Sequence, residues 1–306
     1  MVQPVAILLI NWNNEPDTAE CLDSCLKLDY ANFRIIVVDN GSVDDSGTRL
    51  KKRFPDVEVI KTGSNLGFSG GNNVGIRHAL SLGAEYIWLL NNDTVVDSAA
   101  LSTLVGMAEN DRTIGMVGSK IHYHDAPSKI WYAGAWLDKR YPYRSSHRGL
   151  NEEDRGQYDL AGETGYVSGC SLLATKRMIE KVGLLDDDLF LYYEDIDWNA
   201  RAVKKGWKAV YCPSSLVFHK VSISIGGMDS PRMKYYLARN LLYFIRHNFP
   251  ETFLQAVLFD LYENVLVAVK KRNFRAAGYA IRGIFDYACS KRGAFEITPI
   301  PRRNGQ

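Results

Sequence analysis

The stretch "YIWLLNNDTVVD", residues 86–97, says most about the architecture of this chain. Residues 86–90 are all apolar or aromatic, as in a strand that is buried in a parallel sheet. Asn91, Asn92 and Asp93 follow with no turn residue between. A buried carboxylate needs a hydrogen bond, an opposite charge or a metal ion, although Asn and Asp also begin turns and cap helices. This strand end is therefore either a binding site or an ordinary turn.

Three earlier segments repeat the pattern of an apolar run that ends in a polar residue. The runs "VAILLINW", "FRIIVVDNGS" and "VEVIKTGSN" lead to Asn11, Asp39 and Asn65. These residues and Asp93 are spaced 28, 26 and 28 apart, and a strand, a crossover helix and a parallel strand need about 30 residues. The spacing predicts four parallel strands whose polar tips share one edge. In open α/β sheets that carboxyl edge binds ligands.

A glycine-rich segment, "GSNLGFSGGNNVG", covers residues 63–75. Its glycines allow the backbone to approach a ligand closely. Asn72 and Asn73 are predicted to open a helix that runs to residue 82, and the N–H groups at that end favour an anion. The segment matches neither the dinucleotide fingerprint nor the P-loop. A flexible loop is the alternative interpretation.

The motif "YYEDIDWNAR" contains three acidic residues at the predicted start of a helix. Residues 190–193 are predicted to form an aromatic strand before them. Asp197 and Arg201 are spaced i, i+4 and are predicted to form a structural ion pair. Of the other two acids, Glu194 and Asp195, one is a candidate general base. Capping of the helix is the alternative, because acids in the first turn suit the helix dipole.

Length and composition place the chain among folded globular proteins. Its 306 residues allow one large α/β domain or two small ones, with 46% apolar and 24% charged residues. The N-terminus enters a strand directly, so no signal peptide is expected. The odd number of cysteines is expected to give buried thiols in a reducing compartment. They are Cys21, Cys25, Cys170, Cys212 and Cys289.

The net charge of +2 hides two oppositely charged parts of the chain. Residues 231–306 contain 13 Lys and Arg against 5 Asp and Glu, a net charge of +8, whereas residues 1–230 contain 24 against 30, a net charge of −6. This pattern argues against a nucleic-acid-binding body and predicts an anionic partner for the basic tail.

The tail is predicted to be helical, with an apolar stripe at i, i+3 and i+4 spacing. Asp260 and Glu263 interrupt the apolar run, so a membrane span is not expected. The stripe either packs on the rest of the protein or docks on an anionic membrane, and the two are compatible. It consists of Leu254, Val257, Leu258, Leu261 and Val265.

Taken together, the motifs resemble the inverting family 2 glycosyltransferases with the GT-A fold, most of all their rhamnosyltransferase-type branch. They are "VVDNGS", "NLGFSGGNN", "LLNNDT", "VSGCSLLATK", "YYEDIDWNAR" and "VFHKVSIS", in that order, and the resemblance covers residues 5–246. It implies an α/β fold, Rossmann-like, with a mostly parallel central sheet and helices on both faces. Residues 1–230 would form this catalytic domain, and residues 231–306 a helical C-terminal appendage.

The resemblance also implies roles for individual residues. Asp39 resembles the carboxylate that accepts the N3–H of a pyrimidine base, and Asp195 the catalytic base, with Glu194 beside it. "NNDT" stands in the place of the D-x-D motif, so Asp93 and His219 would hold Mg²⁺ or Mn²⁺, although a lone histidine is often structural. The nucleotide-binding residues would be Asn11, Trp12, Asp39, Asn65, Gly67, Asn72 and Asn92.

One position departs from the family pattern. Asn91 replaces the first acid of D-x-D and is at best a neutral ligand. The cation would then depend on one carboxylate, a histidine and the phosphates of the donor, which suits Mg²⁺ or Mn²⁺. Weak metal binding in the absence of the donor is the expected consequence.

The implied activity is transfer of a sugar from a pyrimidine nucleoside diphosphate to a hydroxyl of a saccharide or lipid-linked acceptor. The best guess is L-rhamnose from dTDP-L-rhamnose, for cell-surface polysaccharide, in the cytoplasm or peripherally on the inner face of the membrane. A UDP-sugar donor is an alternative because uracil and thymine present the same N3–H. A nucleotide-sugar-binding protein without turnover is another. An oxidoreductase is disfavoured by the missing glycine fingerprint.

Overall fold

A computed structural model of the chain describes residues 2–138, 140–221 and 230–295. The strands are β1 (Val5–Asn11), β2 (Phe33–Asp39), β3 (Glu58–Lys61), β4 (Tyr86–Leu90), β5 (Thr94–Val96), β6 (Ile114–Tyr123), β7 (Ile130–Tyr132), β8 (Ala135–Leu137), β9 (Ser145–His147), β10 (Gly162–Glu163), β11 (Ser171–Thr175) and β12 (Lys208–His219). The helices are α1 (Glu15–Cys25), α2 (Ser46–Arg53), α3 (Gly67–Ser81), α4 (Ala100–Asn110), α5 (Lys176–Val182), α6 (Glu194–Lys204), α7 (Pro231–Asn248), α8 (Phe253–Asp260), α9 (Val267–Lys270) and α10 (Phe274–Ala288). A π-helical turn, Leu261–Leu266, joins α8 to α9.

Ten of the described strands form one mixed sheet in the order β10-β12-β6-β11-β4-β1-β2-β3, with β5 paired to β12 and β7 to β6, while β8 and β9 form a separate two-stranded sheet. The prediction of four parallel strands is confirmed, because β4, β1, β2 and β3 pair in parallel and Asn11 lies in register with Asp39. β11 runs antiparallel between β4 and β6, while β12 runs parallel to β6. The carboxyl ends of β1 to β4 therefore lie at a common edge.

Both faces of the sheet are covered by helices, as predicted. Side chains along β1 alternate between the two faces: Ile7 and Leu9 pack with α1, α2 and α4, whereas Ala6 and Leu8 pack with α3, α5 and α6. Burial on both faces explains why these strands are continuously apolar.

The glycine-rich segment is mostly helix, and the prediction that the helix opens at Asn72 was wrong. α3 begins at Gly67, five residues earlier. A Cβ at Gly75 would lie 3.0 Å from Leu8 and 3.2 Å from Val38, so this glycine lets the helix pack closely against the sheet. The glycine-rich segment is therefore not a flexible loop, and Gly75 in it serves the packing of α3 on the sheet.

The predicted aromatic strand at residues 190–193 is absent from the structure. These residues form a turn between the 3₁₀ helix Asp187–Leu189 and α6. Phe190, Tyr192 and Tyr193 have positive φ angles, which no strand contains. Hydrogen bonds from Asn240 of α7 hold this turn.

Pro231, the first residue of the predicted C-terminal region, is also the first residue of α7. Leu241, Phe244 and Ile245 of α7 belong to the same apolar core as the sheet. The first helix of the predicted appendage is thus built into the body. Residues 222–229, which include the end of the "VFHKVSIS" motif, and residues 296–306 of the predicted helical tail lie outside the described residues.

The apolar stripe of the tail faces outward over most of its length. Leu254 is 71% exposed and Leu258 is 61% exposed, whereas Ala256 and Asp260 are buried. Of the two interpretations of this stripe, packing on the rest of the protein therefore applies only in part, because Val257 and Val265 are half-buried. Burial raises the pKa of Asp260 to about 8, although a hydrogen bond from Asn264 opposes the shift.

Within the described residues, one helical segment is long and apolar enough to cross a membrane by length and composition. It spans Pro250–Lys270, 21 residues. The sequence had suggested that Asp260 and Glu263 exclude this. Of the five cysteines, all free thiols, four are buried as expected, but Cys289 is exposed.

Candidate active site

Asp39 ends β2 and is buried at the carboxyl edge of the sheet. Its Oδ1 atom lies 3.2 Å from Nδ2 of Asn11, which is fully buried and also donates to Ser46 at 2.8 Å. The Thr18 hydroxyl donates to the side-chain Oδ1 atom of Asn11 at 2.9 Å. A Cβ at Gly47 would overlap the Asp39 carboxylate, so a glycine is needed there. Asn11 is thus a support for Asp39, behind the position where a ligand could reach it.

Asn40, which sequence reasoning missed, organises the start of α3. Its amide donates to the Gly67 carbonyl at 2.9 Å and accepts from the Leu66 N–H at 3.0 Å. Asn65 accepts from the Gly67 N–H at 2.8 Å. The neighbouring "DN" pair in "VVDNGS" was the available signal. These bonds fix the connection between β3 and α3 beside Asp39.

The other predicted nucleotide-binding residues differ in their accessibility. Trp12 is 36% exposed at the end of β1. Asn72 is buried in α3 and donates to the Phe68 carbonyl at 2.9 Å. Asn92 is half-buried and donates to Thr18 at 2.8 Å. Trp12 and Asn92 are therefore open to a ligand, whereas Asn72 supports its own helix.

Asp93 and His219 meet although 126 residues separate them in the chain. β5 pairs antiparallel with β12, with Thr94 opposite His219, and this pairing brings the two side chains together. The distance from Asp93 Oδ1 to His219 Nε2 is 3.2 Å, and both residues are buried. The predicted metal-binding pair therefore forms one cluster at the tip of β4.

The charges of this cluster follow from its surroundings. Burial alone would lower the pKa of His219, but the Cys170 sulfur and the Asp93 carboxylate raise it to about 10. Burial also raises the pKa of Cys170. The surroundings of His219 therefore favour a proton on its imidazole, beside the Asp93 carboxylate.

The donor set fits a divalent cation only in part. Among the residues that the structure describes, no third His, Cys, Asp or Glu joins Asp93 and His219 to complete a metal site. A cation bound by both would also have to displace the imidazolium proton. One carboxylate and one imidazole suit a cation whose other ligands are phosphate oxygens and water.

Asp195 lies in the first turn of α6 and is only partly buried. Its Oδ2 atom accepts the Gly169 N–H at 2.8 Å, and its Oδ1 atom accepts the Ile196 N–H at 2.8 Å. Burial raises the pKa of Asp195, while these donors stabilise the carboxylate and oppose the shift. The side chain is therefore a fixed carboxylate that a small polar group could reach.

Glu194 has a different environment from that of its neighbour Asp195. It is buried, and its Oε2 atom has no hydrogen-bond partner within the described residues. Burial, and then the charge of Asp195, holds the pKa of Glu194 well above its usual range. This environment favours a neutral Glu194 beside an ionised Asp195.

The predicted ion pair of Asp197 and Arg201 is confirmed. The distance from Arg201 Nε to Asp197 Oδ2 is 2.7 Å. Asn248 of α7 donates to the other oxygen of Asp197 at 2.7 Å. Asp197 is thus fully engaged in holding α6 against α7.

Gly169 and Cys170, in the "VSGC" motif, connect Asp195 with the Asp93–His219 cluster. The Gly169 N–H binds Asp195, and the Cys170 carbonyl accepts the Asn91 N–H at 2.9 Å. The Cys170 sulfur contacts His219. The segment before β11 therefore carries Asp195 on one side and the Asp93–His219 cluster on the other.

An open cavity of about 210 Å³ adjoins this cluster. His219 and Lys220 form one wall, and Lys220 is held by Asp17 at 2.7 Å and Glu20 at 2.6 Å. The remaining lining residues are Tyr123, Asp125, Ala126, Lys129 and Asn151. Most of the exposed lining surface of this cavity is apolar, and its size suits a sugar ring.

Two known proteins are similar to this chain over most of its length. The chain is 25% identical over 281 residues to dTDP-rhamnosyl transferase RfbF of Shigella flexneri, covering 87% of this chain and 88% of that protein. It is 24% identical over 254 residues to the N-acetylglucosaminyl-diphospho-decaprenol L-rhamnosyltransferase of Mycobacterium tuberculosis, covering 74% and 79%.

Among solved structures, the mannosyltransferase PcManGT from Pyrobaculum calidifontis, in complex with GDP-Man and Mn²⁺, is similar with a TM-score of 0.57. The two are 17% identical, and the match covers 96% of this chain and 77% of that chain. At this identity the likeness shows the fold, which is of the GT-A type. The model of the family described as "Glycosyl transferase family 2" matches residues 6–183, and the chain belongs to that family of glycosyltransferases.

Proposed function

We propose that this chain is an inverting, metal-dependent glycosyltransferase that uses a pyrimidine nucleoside diphosphate sugar, with dTDP-L-rhamnose as the best candidate. The single observation that carries the proposal is the fixed, partly exposed Asp195 carboxylate, linked through the segment 169–170 to the Asp93–His219 cluster. An acid of the first turn held in this way can accept a proton from an acceptor hydroxyl. The names of the rhamnosyltransferase relatives support the donor.

In the proposed reaction the acceptor oxygen attacks the anomeric carbon from the side opposite the diphosphate. Asp195 takes the hydroxyl proton, and the bond from the anomeric carbon to the diphosphate oxygen breaks with its electron pair on the diphosphate. Asp93 and His219 would hold Mg²⁺ or Mn²⁺, which when bound neutralises charge on the leaving diphosphate. The acceptor is a hydroxyl of a saccharide or a lipid-linked saccharide, and the polymer made would be a cell-surface polysaccharide assembled from the cytoplasmic side.

The direct test is incubation with dTDP-L-rhamnose, the UDP-sugars and GDP-mannose, with Mn²⁺ and a lipid-linked saccharide. Transfer with inversion at the anomeric carbon, seen by NMR of the product, supports the proposal. Transfer only from a UDP-sugar moves the donor assignment to the alternative. Tight binding with no transfer to any acceptor favours a nucleotide-sugar-binding protein.

We expect the nucleotide base to depend on Asp39. UDP and dTDP should raise the melting temperature in Mn²⁺, because a ligand at 100 times its dissociation constant adds about 2.7 kcal/mol. Asp39→Ala should weaken either nucleotide by about 1–3 kcal/mol, since a buried ring N–H loses its acceptor. Asp56→Ala, an exposed acid just before β3, is the control. Equal stabilisation by GDP would show that the base pocket is wrongly assigned.

We also propose that the C-terminal helices dock on an anionic membrane. Leu254, Leu258 and Phe274 project from them and are 71%, 61% and 68% exposed. Exposed basic residues of the same C-terminal helices and of the turn between α9 and α10 would face lipid phosphates. They are Lys270, Lys271, Arg272, Arg275 and Arg282. Such a contact would bring the active site close to a lipid-linked acceptor.

Leu258→Glu should abolish flotation with phosphatidylglycerol vesicles. Burial of a leucine contributes about 1.5–3 kcal/mol to membrane binding, and each nearby Lys or Arg about 1 kcal/mol. The replacement removes the contribution of the leucine and weakens the attraction of the basic residues to the anionic lipid. Leu160→Glu is the matched control, because Leu160 is 87% exposed outside the C-terminal helices. If both variants float like the unchanged protein, or if neutral phosphatidylcholine binds as well, this surface does not dock by the proposed mechanism.

A further inference from the structure

The turn that precedes Asp195 has an unusual backbone. Phe190, Tyr192 and Tyr193 have φ angles of +63°, +67° and +72°. Side chains other than glycine disfavour this left-handed region, and three such residues within four positions are rare. Tyr193 is also the residue immediately before α6. The turn therefore needs partners that hold it in this conformation.

Asn240 of α7 supplies those partners. It is fully buried, and its Nδ2 atom lies 2.8 Å from the Leu189 carbonyl, 2.8 Å from that of Leu191 and 2.9 Å from that of Tyr192. One side-chain amide thus lies within hydrogen-bond distance of three carbonyl groups, two in the turn and one at the end of the preceding 3₁₀ helix. An extended strand could not direct these carbonyls toward one point, because they would alternate in direction.

Arg239 fixes the orientation of that amide. Its Nε atom donates to Asn240 Oδ1 at 2.9 Å, which leaves Nδ2 facing the turn. Its Nη2 atom reaches the Leu189 carbonyl at 3.1 Å. The guanidinium is fully buried, 5.3 Å from the ring of Tyr235 and 5.2 Å from that of Tyr236. The charge is held by carbonyl oxygens and aromatic faces.

The same turn also contacts the glycine-rich start of α3. The Phe190 carbonyl accepts the Phe68 N–H at 2.7 Å, and a Cβ at Gly67 would overlap that carbonyl. The turn is thus fixed between α7 on one side and α3 on the other. Asp195 is the second residue after this turn.

We propose that Arg239 and Asn240 are positioning residues for the Asp195 carboxylate, so that the C-terminal region is required for the chemical step and not only for docking. This inference rests on the proposed function. Arg239 and Asn240 act through the turn and are not proposed as ligands of the donor.

Asn240→Asp tests the role with little change in volume. The new carboxylate can still accept from Arg239, but it has no N–H for the three carbonyls. We expect kcat to fall about 10–100-fold, as small misplacements of catalytic groups do. The affinity for dTDP in Mn²⁺ and the KM for the donor should stay unchanged, a separation that general loss of fold would not produce.

Asn248→Asp is the matched control. Asn248 is also buried on α7, but its amide bonds Asp197 of α6 rather than the turn. This variant should have a lower melting temperature and a normal kcat when assayed well below it. Arg239→Lys, which keeps the charge and removes the bond to Asn240, should give a smaller loss of kcat and serves if Asn240→Asp does not fold.

A double variant separates the possible outcomes. If Asn240 acts through Asp195, adding Asn240→Asp to Asp195→Asn should cause no further loss of kcat. A normal kcat in folded Asn240→Asp or Arg239→Lys, or fully additive losses, overturns the positioning role while the proposed function stands. Normal turnover in Asp195→Asn alone overturns both.

Discussion

Asp195→Asn should lower kcat about 10²–10⁴-fold, the usual contribution of general-base catalysis. The amide keeps the shape of the carboxylate but cannot take the acceptor proton. Binding of the nucleotide sugar should survive, because the proposed base contacts the acceptor. Since burial raises the pKa of Asp195, kcat of the unchanged protein should fall on the acid side at a pH above the ordinary range of an aspartate.

Two neighbouring acids are the controls for this prediction. Glu194→Gln should keep most of the turnover, because burial already favours a neutral Glu194. Asp197→Asn should lower the melting temperature, because it removes the ion pair with Arg201. A large loss in Glu194→Gln with normal turnover in Asp195→Asn would instead make Glu194 the base.

Removal of divalent cations with a chelator should abolish transfer, and Mn²⁺ or Mg²⁺ should restore it. Asp93→Ala and His219→Ala should each lower kcat/KM about 10²-fold or more, because each removes a group that stabilises charge on the leaving diphosphate. A second readout is nucleotide binding by thermal shift. Both variants should lose the extra stabilisation that Mn²⁺ gives to bound dTDP or UDP.

His78→Ala controls for the loss of a histidine, since His78 lies on α3 and pairs with Glu58 at 2.6 Å. It should respond to Mn²⁺ normally. Because its surroundings raise the pKa of His219 to about 10, a metal must compete with a proton, so metal binding without nucleotide should be weak and should strengthen as pH rises. Full activity in excess chelator would contradict the metal site and make the neutral Asn91 the first clue to a metal-free enzyme.

The sequence predicted the parts of the fold that depend on local pattern. The spacing of Asn11, Asp39 and Asp93 after apolar runs located the parallel strands and their shared edge. The i, i+4 spacing of Asp197 and Arg201 identified their ion pair. These features follow from periodicities that a short window of residues contains.

What the sequence did not predict depends on partners far along the chain. Residues 190–193 have the composition of a strand, but two of their carbonyls bind Asn240, about fifty residues later. The helix that contains Gly75 begins earlier than expected, at Gly67, where Asn40 and Asn65 from the preceding connections bond its first turn. The stripe at Leu254 and Leu258 has the period of a core-facing helix, yet period alone does not say which side is covered.

The insertion of β11 between β4 and β6 has a consequence for synthesis. Until the ribosome has made residues 171–175, β4 and β6 each lack the neighbour that lies between them, and open apolar edges recruit other chains. Sheets that join segments distant in sequence also fold slowly. A nascent chain of about half length therefore exposes its future core, and protection by chaperones at that stage matters more for this protein than for one whose strands pair in the order they are made.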